Sequence, residues 1–139
     1  MILTQIRKAM PRMDADEGWL NEVSGRVIGC AYTVLNGLGP GFLEKVYENA
    51  LAHELRKSGL AVTQQRGLTV LYDGIVAGEY VVDLLVEEVL LVELKTVKTL
   101  DETHRAQCIN YLLASGMRLC LLLNFGTPRL GIKRLINDL

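Results

Sequence analysis

The sequence has few cysteines, and their spacing does not pair them. Cys30, Cys108 and Cys120 are odd in number and widely separated, with no C-x-x-C pair. A disulfide framework or a thiolate zinc cage therefore does not explain the fold, and reduced thiols in the cytoplasm are the plain interpretation.

Long apolar runs and an excess of one charge are also missing. No uncharged apolar run approaches the roughly 18 residues that a transmembrane helix needs, and residues 1–12 lack the apolar core of a signal peptide. We therefore expect no membrane association. Fifteen basic residues against sixteen acidic ones leave a net charge of −1, which argues against a surface coated in basic charge for duplex binding. A local basic patch is not excluded.

The 139 residues, half of them hydrophobic, fit one domain with its own core. We predict a flexible basic tail over residues 1–15 and a single domain over 16–139. Helical spacing predicts a first helix that begins at Asp14 or Asp16 and runs to about Asn36, with a buried apolar stripe. Its stripe consists of Leu20, Val23, Val27, Ala31 and Leu35.

Glycine and proline divide the rest of the chain. The run 37–41 ends the first helix, and Gly59 caps a second helix over 42–57. Asp73-Gly74 is a strong hairpin signal. The remaining predicted elements are strands 68–72, 79–86 and 89–97, a helix over 101–115, and strands 118–124 and 131–136. The order ααβββαββ predicts an α/β (α+β) domain in which helices flank one mixed sheet.

Charge placement is the most informative feature of the sequence. Between Arg66 and Lys95 there is no basic residue but there are six carboxylates. Asp83 and Glu93 interrupt strands that are apolar on both faces, where an ionised carboxylate is costly unless it is paired or binds a metal. The other four acids of the interval are Asp73, Glu79, Glu87 and Glu88.

The register of the second and third strands decides whether these acids meet. A two-residue turn at Glu87-Glu88 would place Asp83 on the wrong side of the hairpin. A three-residue loop or a bulge would bring Asp83 beside Glu93 and Lys95. The simpler alternative for Glu93 and Lys95, two residues apart on one strand face, is a surface salt bridge.

Two helices carry further candidate residues. Glu44 lies on the same helical stripe as Tyr47; the alternative is an acid favoured by the helix dipole in the first turn. On the third helix His104, Gln107 and Tyr111 line up at spacings of three and four. Their alternative interpretation is the polar flank of an exposed helix.

Several of these motifs together resemble a known family. Asp83 followed after nine residues by Glu93-Leu94-Lys95 resembles the PD-(D/E)XK nuclease signature, with Val82 in place of its leading proline. The segment 41–47, Gly-Phe-Leu-Glu-Lys-Val-Tyr, resembles the motif of the GxxExxY family, a small branch of that superfamily. The segment 107–111 resembles the Q-x-x-x-Y motif of exonuclease-like branches.

The resemblance implies a fold, a cofactor and a set of roles. The fold would be a restriction-endonuclease-like αβββαβ core with an extra N-terminal helix. Mg²⁺ or Mn²⁺ would be held by Asp83, Glu93, the carbonyl of Leu94 and Glu44. Lys95 would orient water or hold the phosphate, and Gln107 and Tyr111 would contact the nucleic acid or the water.

The function implied is a metal-dependent nuclease, with DNA favoured over RNA. The alternatives are a non-catalytic module that kept the fold and binds nucleic acid or protein, and a purely structural ion network. Residues 117–139 carry a net charge of +3 and could line a phosphate track. A homodimer is also considered, through the apolar run 119–124 or the surface of the first helix.

Overall fold

The computed structural model describes residues 13–137, with side chains from Glu17 onward. Its elements follow the predicted order ααβββαββ. They are α1 (Met13–Leu38), α2 (Glu44–Lys57), β1 (Val62–Tyr72), β2 (Ile75–Val86), β3 (Leu90–Lys95), α3 (Glu102–Ser115), β4 (Leu119–Asn124) and β5 (Gly131–Ile136).

The five strands form one mixed sheet in the order β1-β2-β3-β4-β5. β3 and β4 are parallel, and the other neighbours are antiparallel. The parallel pair needs a crossover, and α3 supplies it. The predicted mixed sheet flanked by helices is confirmed.

α1 begins at Met13, so Asp14 and Asp16 lie inside its first turns rather than before them. The predicted start at Asp14 or Asp16 therefore falls within the helix. Of the expected tail, residues 1–12 lie outside the described residues, and 13–15 are helical. The predicted apolar stripe of α1 is fully buried.

The segment between α1 and α2 is extended rather than helical, so α2 begins at Glu44, two residues later than predicted. Gly39 and Gly41 adopt φ of 71° and 117°, which favour glycine. The predicted hairpin turn at Asp73-Gly74 is confirmed, with φ of 50° and 80° at its two residues.

The sheet is covered on both faces. α1 and α2 pack on one face, together with Leu84, Val92 and Leu121. α3 packs on the other face through Cys108 and Leu112. All six residues of β4 are buried because the strand is central and covered on both sides. The prediction that the run 119–124 forms a dimer surface is wrong, because these side chains are buried.

Among the helices of residues 13–137, none combines the length and apolarity that a membrane span requires.

Candidate functional site

The loop between β2 and β3 has three residues, and this sets the register. Val86 pairs with Leu90, so Glu87, Glu88 and Val89 form the loop. Glu87 and Glu88 adopt φ of 55° and 57°, a left-handed conformation that closes a short loop. Leu84 pairs with Val92, so the next position along the two strands places Asp83 opposite Glu93. This is the arrangement that a three-residue loop predicted.

The paired ladder between β2 and β3 ends at Leu84 and Val92, although both strands continue. Beyond that pair, side chains replace main-chain acceptors. The amide of Leu94 donates to Asp83 Oδ2 at 2.8 Å, and the amide of Asp83 donates to Glu93 Oε1 at 3.2 Å. The two acids are therefore interlocked at the point where the regular pairing of the strands stops.

Lys95 lies on the same side of β3 as Glu93. Its Nζ is 3.7 Å from Glu93 Oε2, and the side chains are only 18% and 5% exposed. The surface salt bridge considered for this pair was wrong, because the strand face is covered by α3. A Lys–Glu pair so far out of water has a desolvation cost that a surface pair avoids.

The three polar residues of α3 have different positions. Tyr111 is buried, and its hydroxyl donates to Glu93 Oε2 at 3.4 Å, so it holds the carboxylate from the side of α3. His104 accepts from the amide of Asp101 in a capping box that starts α3. Gln107 lies one turn before Tyr111, is half-buried, and has no hydrogen bond to the described residues.

The pKa values of Glu93, Asp83 and Glu44 are all raised. Burial, and then the neighbouring Asp83, raises the pKa of Glu93 to about 8. Burial also raises the pKa of Asp83, against the opposing hydrogen bond from Leu94. Burial, followed by repulsion from Asp83, raises the pKa of Glu44. The raised pKa values mean that burial, together with repulsion among the acids, disfavours their charged forms more than Lys95 favours them.

Glu44 reaches this site from the first turn of α2, and Tyr47 fixes the loop before it. The hydroxyl of Tyr47 donates to the carbonyl of Gly39 and accepts from the amide of Phe42 at 3.1 Å. Its ring stacks on Phe125 at a centroid distance of 5.0 Å. The tyrosine of the 41–47 motif therefore has a structural part, and the acid faces the strands.

Two polar residues of the site, Glu48 and Gln65, were missed from the sequence. Glu48 is buried and accepts from Lys45, from Gln64 at 2.7 Å and from Gln65 at 2.8 Å. Gln65 also donates to Asp83 Oδ1 at 3.2 Å. Glu48 lies one turn after Glu44 on α2, so helical spacing could have indicated it. Nothing in the sequence of β1 distinguishes Gln65 from a solvated strand residue.

Asn124 and Gly126, at the C-terminal end of β4, fix the segment that follows Lys95. Asn124 accepts from the amides of Val97 and Gly126, both at 3.0 Å, and donates to the carbonyl of Val97 at 2.8 Å. These bonds hold the chain that leaves Lys95. A Cβ on Gly126 would lie 2.4 Å from the carbonyl oxygen of Val97, so the position needs glycine.

Two of the four basic residues of the segment 117–139 are directed to α1 rather than to the acids. Arg118 pairs with Glu17 at 3.0 Å, and Arg134 donates to Ser24 at 2.6 Å. Both side chains are thus engaged with α1, and the phosphate track expected from the sequence loses these two members.

The donor chemistry fits a divalent cation. Carboxylate oxygens and a carbonyl are the ligands of hard cations, and the acids here have too few positive neighbours. Within residues 13–137, however, no three His, Cys, Asp or Glu side chains form a group that could hold a metal ion. Asp83 and Glu93 lie together, and Glu44 is close enough to be repelled by Asp83 but does not complete a group of three acids.

Neither a curated protein nor a solved structure matches the chain at a significant level. A family model described as the PD-(D/E)XK nuclease superfamily matches residues 21–135, which include α2, α3 and all of the sheet except the last residue of β5. The sheet with its helices is the restriction-endonuclease-like core of that superfamily. Since the match covers most of the chain and agrees with the fold, the chain belongs to the PD-(D/E)XK nuclease superfamily.

Proposed function

We propose that this protein is a divalent-metal-dependent nuclease that hydrolyses phosphodiester bonds of nucleic acid, with DNA favoured over RNA. The observation that carries the proposal is the interlocked pair of Asp83 and Glu93, with Lys95 beside it, where the ladder between β2 and β3 ends. A buried and a half-buried acid with one basic neighbour have a desolvation cost that their two main-chain hydrogen bonds offset only in part.

The residues of the site divide into three roles. Asp83 and Glu93 would hold Mg²⁺ or Mn²⁺, together with the carbonyl of Leu94 and with Glu44 as a direct or water-mediated ligand. The bound cation would supply charge for the phosphate and a lowered pKa for its water. Lys95 offers its ammonium to the scissile phosphate or to the water that attacks it.

The residues of α3 complete the site. Tyr111 keeps Glu93 in place through its hydroxyl, since the ring is buried and the hydroxyl faces the acid. Gln107 stands one turn nearer the start of α3 with a free amide, so we assign it the contact with the nucleic-acid backbone.

Cleavage of a labelled duplex and of a labelled single strand, with and without Mg²⁺ or Mn²⁺, tests the proposal. The wild type should cleave only with metal, and Asp83→Asn should lower the rate at least about a hundredfold. Asp73→Asn removes an acid of the same segment at the exposed hairpin turn and should leave the rate unchanged. Full metal-dependent cleavage by Asp83→Asn would contradict the assignment.

The second candidate function is a non-catalytic module that kept the fold. It is favoured by one observation, the missing three-acid group among the described residues. Calorimetry with Mg²⁺ or Mn²⁺ separates the two candidates, because the module needs no cation. Absence of binding at millimolar metal would favour the module.

We further infer that the chain is a member of the GxxExxY branch, because Gly41, Glu44 and Tyr47 each have a distinct place in the loop and helix start. The three cysteines are free, which supports a reducing compartment such as the cytoplasm. The homodimer stays a prediction. After Leu43, which precedes α2, the most exposed large apolar side chains are Tyr72, Leu71 and Ile75 on the hairpin of β1 and β2.

A further inference from the structure

Gln65 has a backbone conformation that is unusual for its place. It lies inside β1 with a φ of 54°, where glycine is favoured and a glutamine is strained. Its pairing with Asp83 is missing from the ladder, while Gln64 pairs with Leu84 and Arg66 with Val82 on either side. The irregularity therefore affects one residue and leaves the register of the hairpin intact.

The left-handed turn at Gln65 has a visible consequence for side-chain direction. Consecutive strand residues normally point to opposite faces of a sheet. Here Gln64 and Gln65 both donate to Glu48 of α2, at 2.7 Å and 2.8 Å. The turn thus brings a second amide to the same carboxylate, which a regular strand would not allow.

On both β1 and β2, the side chains stop alternating regularly between the two faces of the sheet near Gln65 and Asp83. On β2, Leu84 packs with α1 and α2, while Val82, two residues earlier, packs with α3. On β1, Val62 lies on the side of α1 and α2, and Leu68 lies on the side of α3. The hairpin therefore twists where Gln65 faces Asp83, so that Asp83 points toward α2.

The amide of Gln65 joins two acids across this twist. Its Nε2 donates to Glu48 Oε1 at 2.8 Å and to Asp83 Oδ1 at 3.2 Å. Glu48 is itself held by Lys45, whose Nζ is 3.1 Å from both carboxylate oxygens. With the amide of Leu94 on Oδ2, both oxygens of Asp83 have a donor, and its rotation is fixed from both sides.

We propose that Gln65 is a positioning residue for Asp83, whose amide ties that carboxylate to Glu48 of α2 and so fixes it beside Glu93. The inference rests on the proposed function for the part that Asp83 has in metal binding. It adds that α2 sets the geometry of the strand acids through Glu48 and Gln65, as well as contributing Glu44. The strained φ of Gln65 is the structural cost of this link.

The variant Gln65→Gly tests the proposal because it separates stability from positioning. Glycine adopts this φ without strain, which offsets part of the stability lost with the two hydrogen bonds of the amide. The loss of the amide should free Asp83. Hydrogen exchange of the Leu94 amide in the metal-free protein should then accelerate at least about tenfold, because that amide is held by Asp83. Exchange at Leu90 and Val92, inside the ladder, should not change.

Calorimetry supplies the second measurement. The affinity of Gln65→Gly for Mn²⁺ should fall at least about fivefold relative to the wild type. Asp73→Gly, the same kind of change at another left-handed position, should alter neither the Leu94 exchange nor the affinity. Gln64→Ala removes an amide from Glu48 without touching Asp83, and it should leave the Leu94 exchange unchanged. Gln65→Asn, too short to span both acids, should behave as Gln65→Gly does.

The outcomes are distinct. Wild-type Leu94 exchange and wild-type affinity in Gln65→Gly would overturn the proposal, as would equal acceleration at Leu90, Val92 and Leu94. If the wild type binds no metal and cleaves nothing, the proposed function fails. The Leu94 exchange would still decide whether Gln65 holds Asp83.

Discussion

At the scale of single residues, every carboxylate oxygen of Asp83 and Glu93 has a neighbour within the protein that stabilises its negative charge. All four carboxylate oxygens of Asp83 and Glu93 have a donor or a cation near them: two main-chain amides, Gln65, and Tyr111 with Lys95. Each oxygen keeps a second lone pair, so these contacts hold the carboxylates in place without closing them to a cation.

The raised pKa of Glu93 predicts how stability depends on pH. In the folded protein its pKa is about 8, against 4.5 for the ordinary carboxyl group. Between these values the folded state holds a proton that the unfolded state releases, so the free energy of unfolding should fall as pH rises. The slope for this one group is at most about 1.4 kcal/mol per pH unit. The measurement is urea denaturation of metal-free protein from pH 4 to 9.

Glu93→Gln should flatten this dependence because the amide does not titrate. Glu79→Gln, at an exposed position of β2, is the matched control and should keep the wild-type slope. A wild-type stability that rises between pH 5 and 8 would contradict the assignment of the buried proton to Glu93.

At the scale of elements, a close main-chain contact joins the segments that leave the C-terminal ends of β3 and β4. The chain beyond Lys95 passes so close to the chain beyond Asn124 that only glycine fits at 126, and the Asn124 amide bridges the two segments. This contact sets where the chain leaves β3 just after Lys95.

Gly126→Ala should therefore be destabilising by about 1–3 kcal/mol, since the new methyl group would meet main-chain atoms of Val97 that cannot move aside cheaply. Gly78→Ala is a matched control, because nothing lies within 4 Å of a Cβ at that position of β2. It should be neutral or slightly stabilising. Denaturant unfolding of both variants measures the difference, and equal stabilities would refute the close-approach argument.

At the scale of the whole molecule, the charge balance fits a protein whose nucleic-acid contact depends on a cation. The net charge is −1, and Arg118 and Arg134 are engaged with α1. Under the proposed function, the acids of the site would repel phosphate until a bound cation offset their charge.

Binding to a labelled duplex should consequently be weak without metal at roughly 150 mM salt. Ca²⁺, which takes the same oxygen ligands as Mg²⁺, should tighten it at least about tenfold. Fluorescence anisotropy with and without Ca²⁺ measures this gain. Asp83→Asn should lose most of the gain, whereas Asp73→Asn should keep it. An affinity that does not respond to Ca²⁺ would argue against a cation-dependent contact.

The sequence by itself determined the order of the elements, because helical and strand periods, glycine stops and the Asp73-Gly74 turn are local signals. It also identified Asp83 and Glu93 as misplaced charges in apolar strands, since the cost of burying a carboxylate is readable without coordinates. The superfamily match over residues 21–135 agrees with the fold that this order of elements predicts.

Only the tertiary structure decided which of these residues meet. The register of β2 on β3 depended on whether the loop had two residues or three, a choice that the sequence left open. The burial of β4 depended on its central place in the sheet, and the link from Glu48 through Gln65 to Asp83 depended on a left-handed residue within β1. These features join segments far apart in the chain, and their free energy comes from contacts that no local pattern encodes.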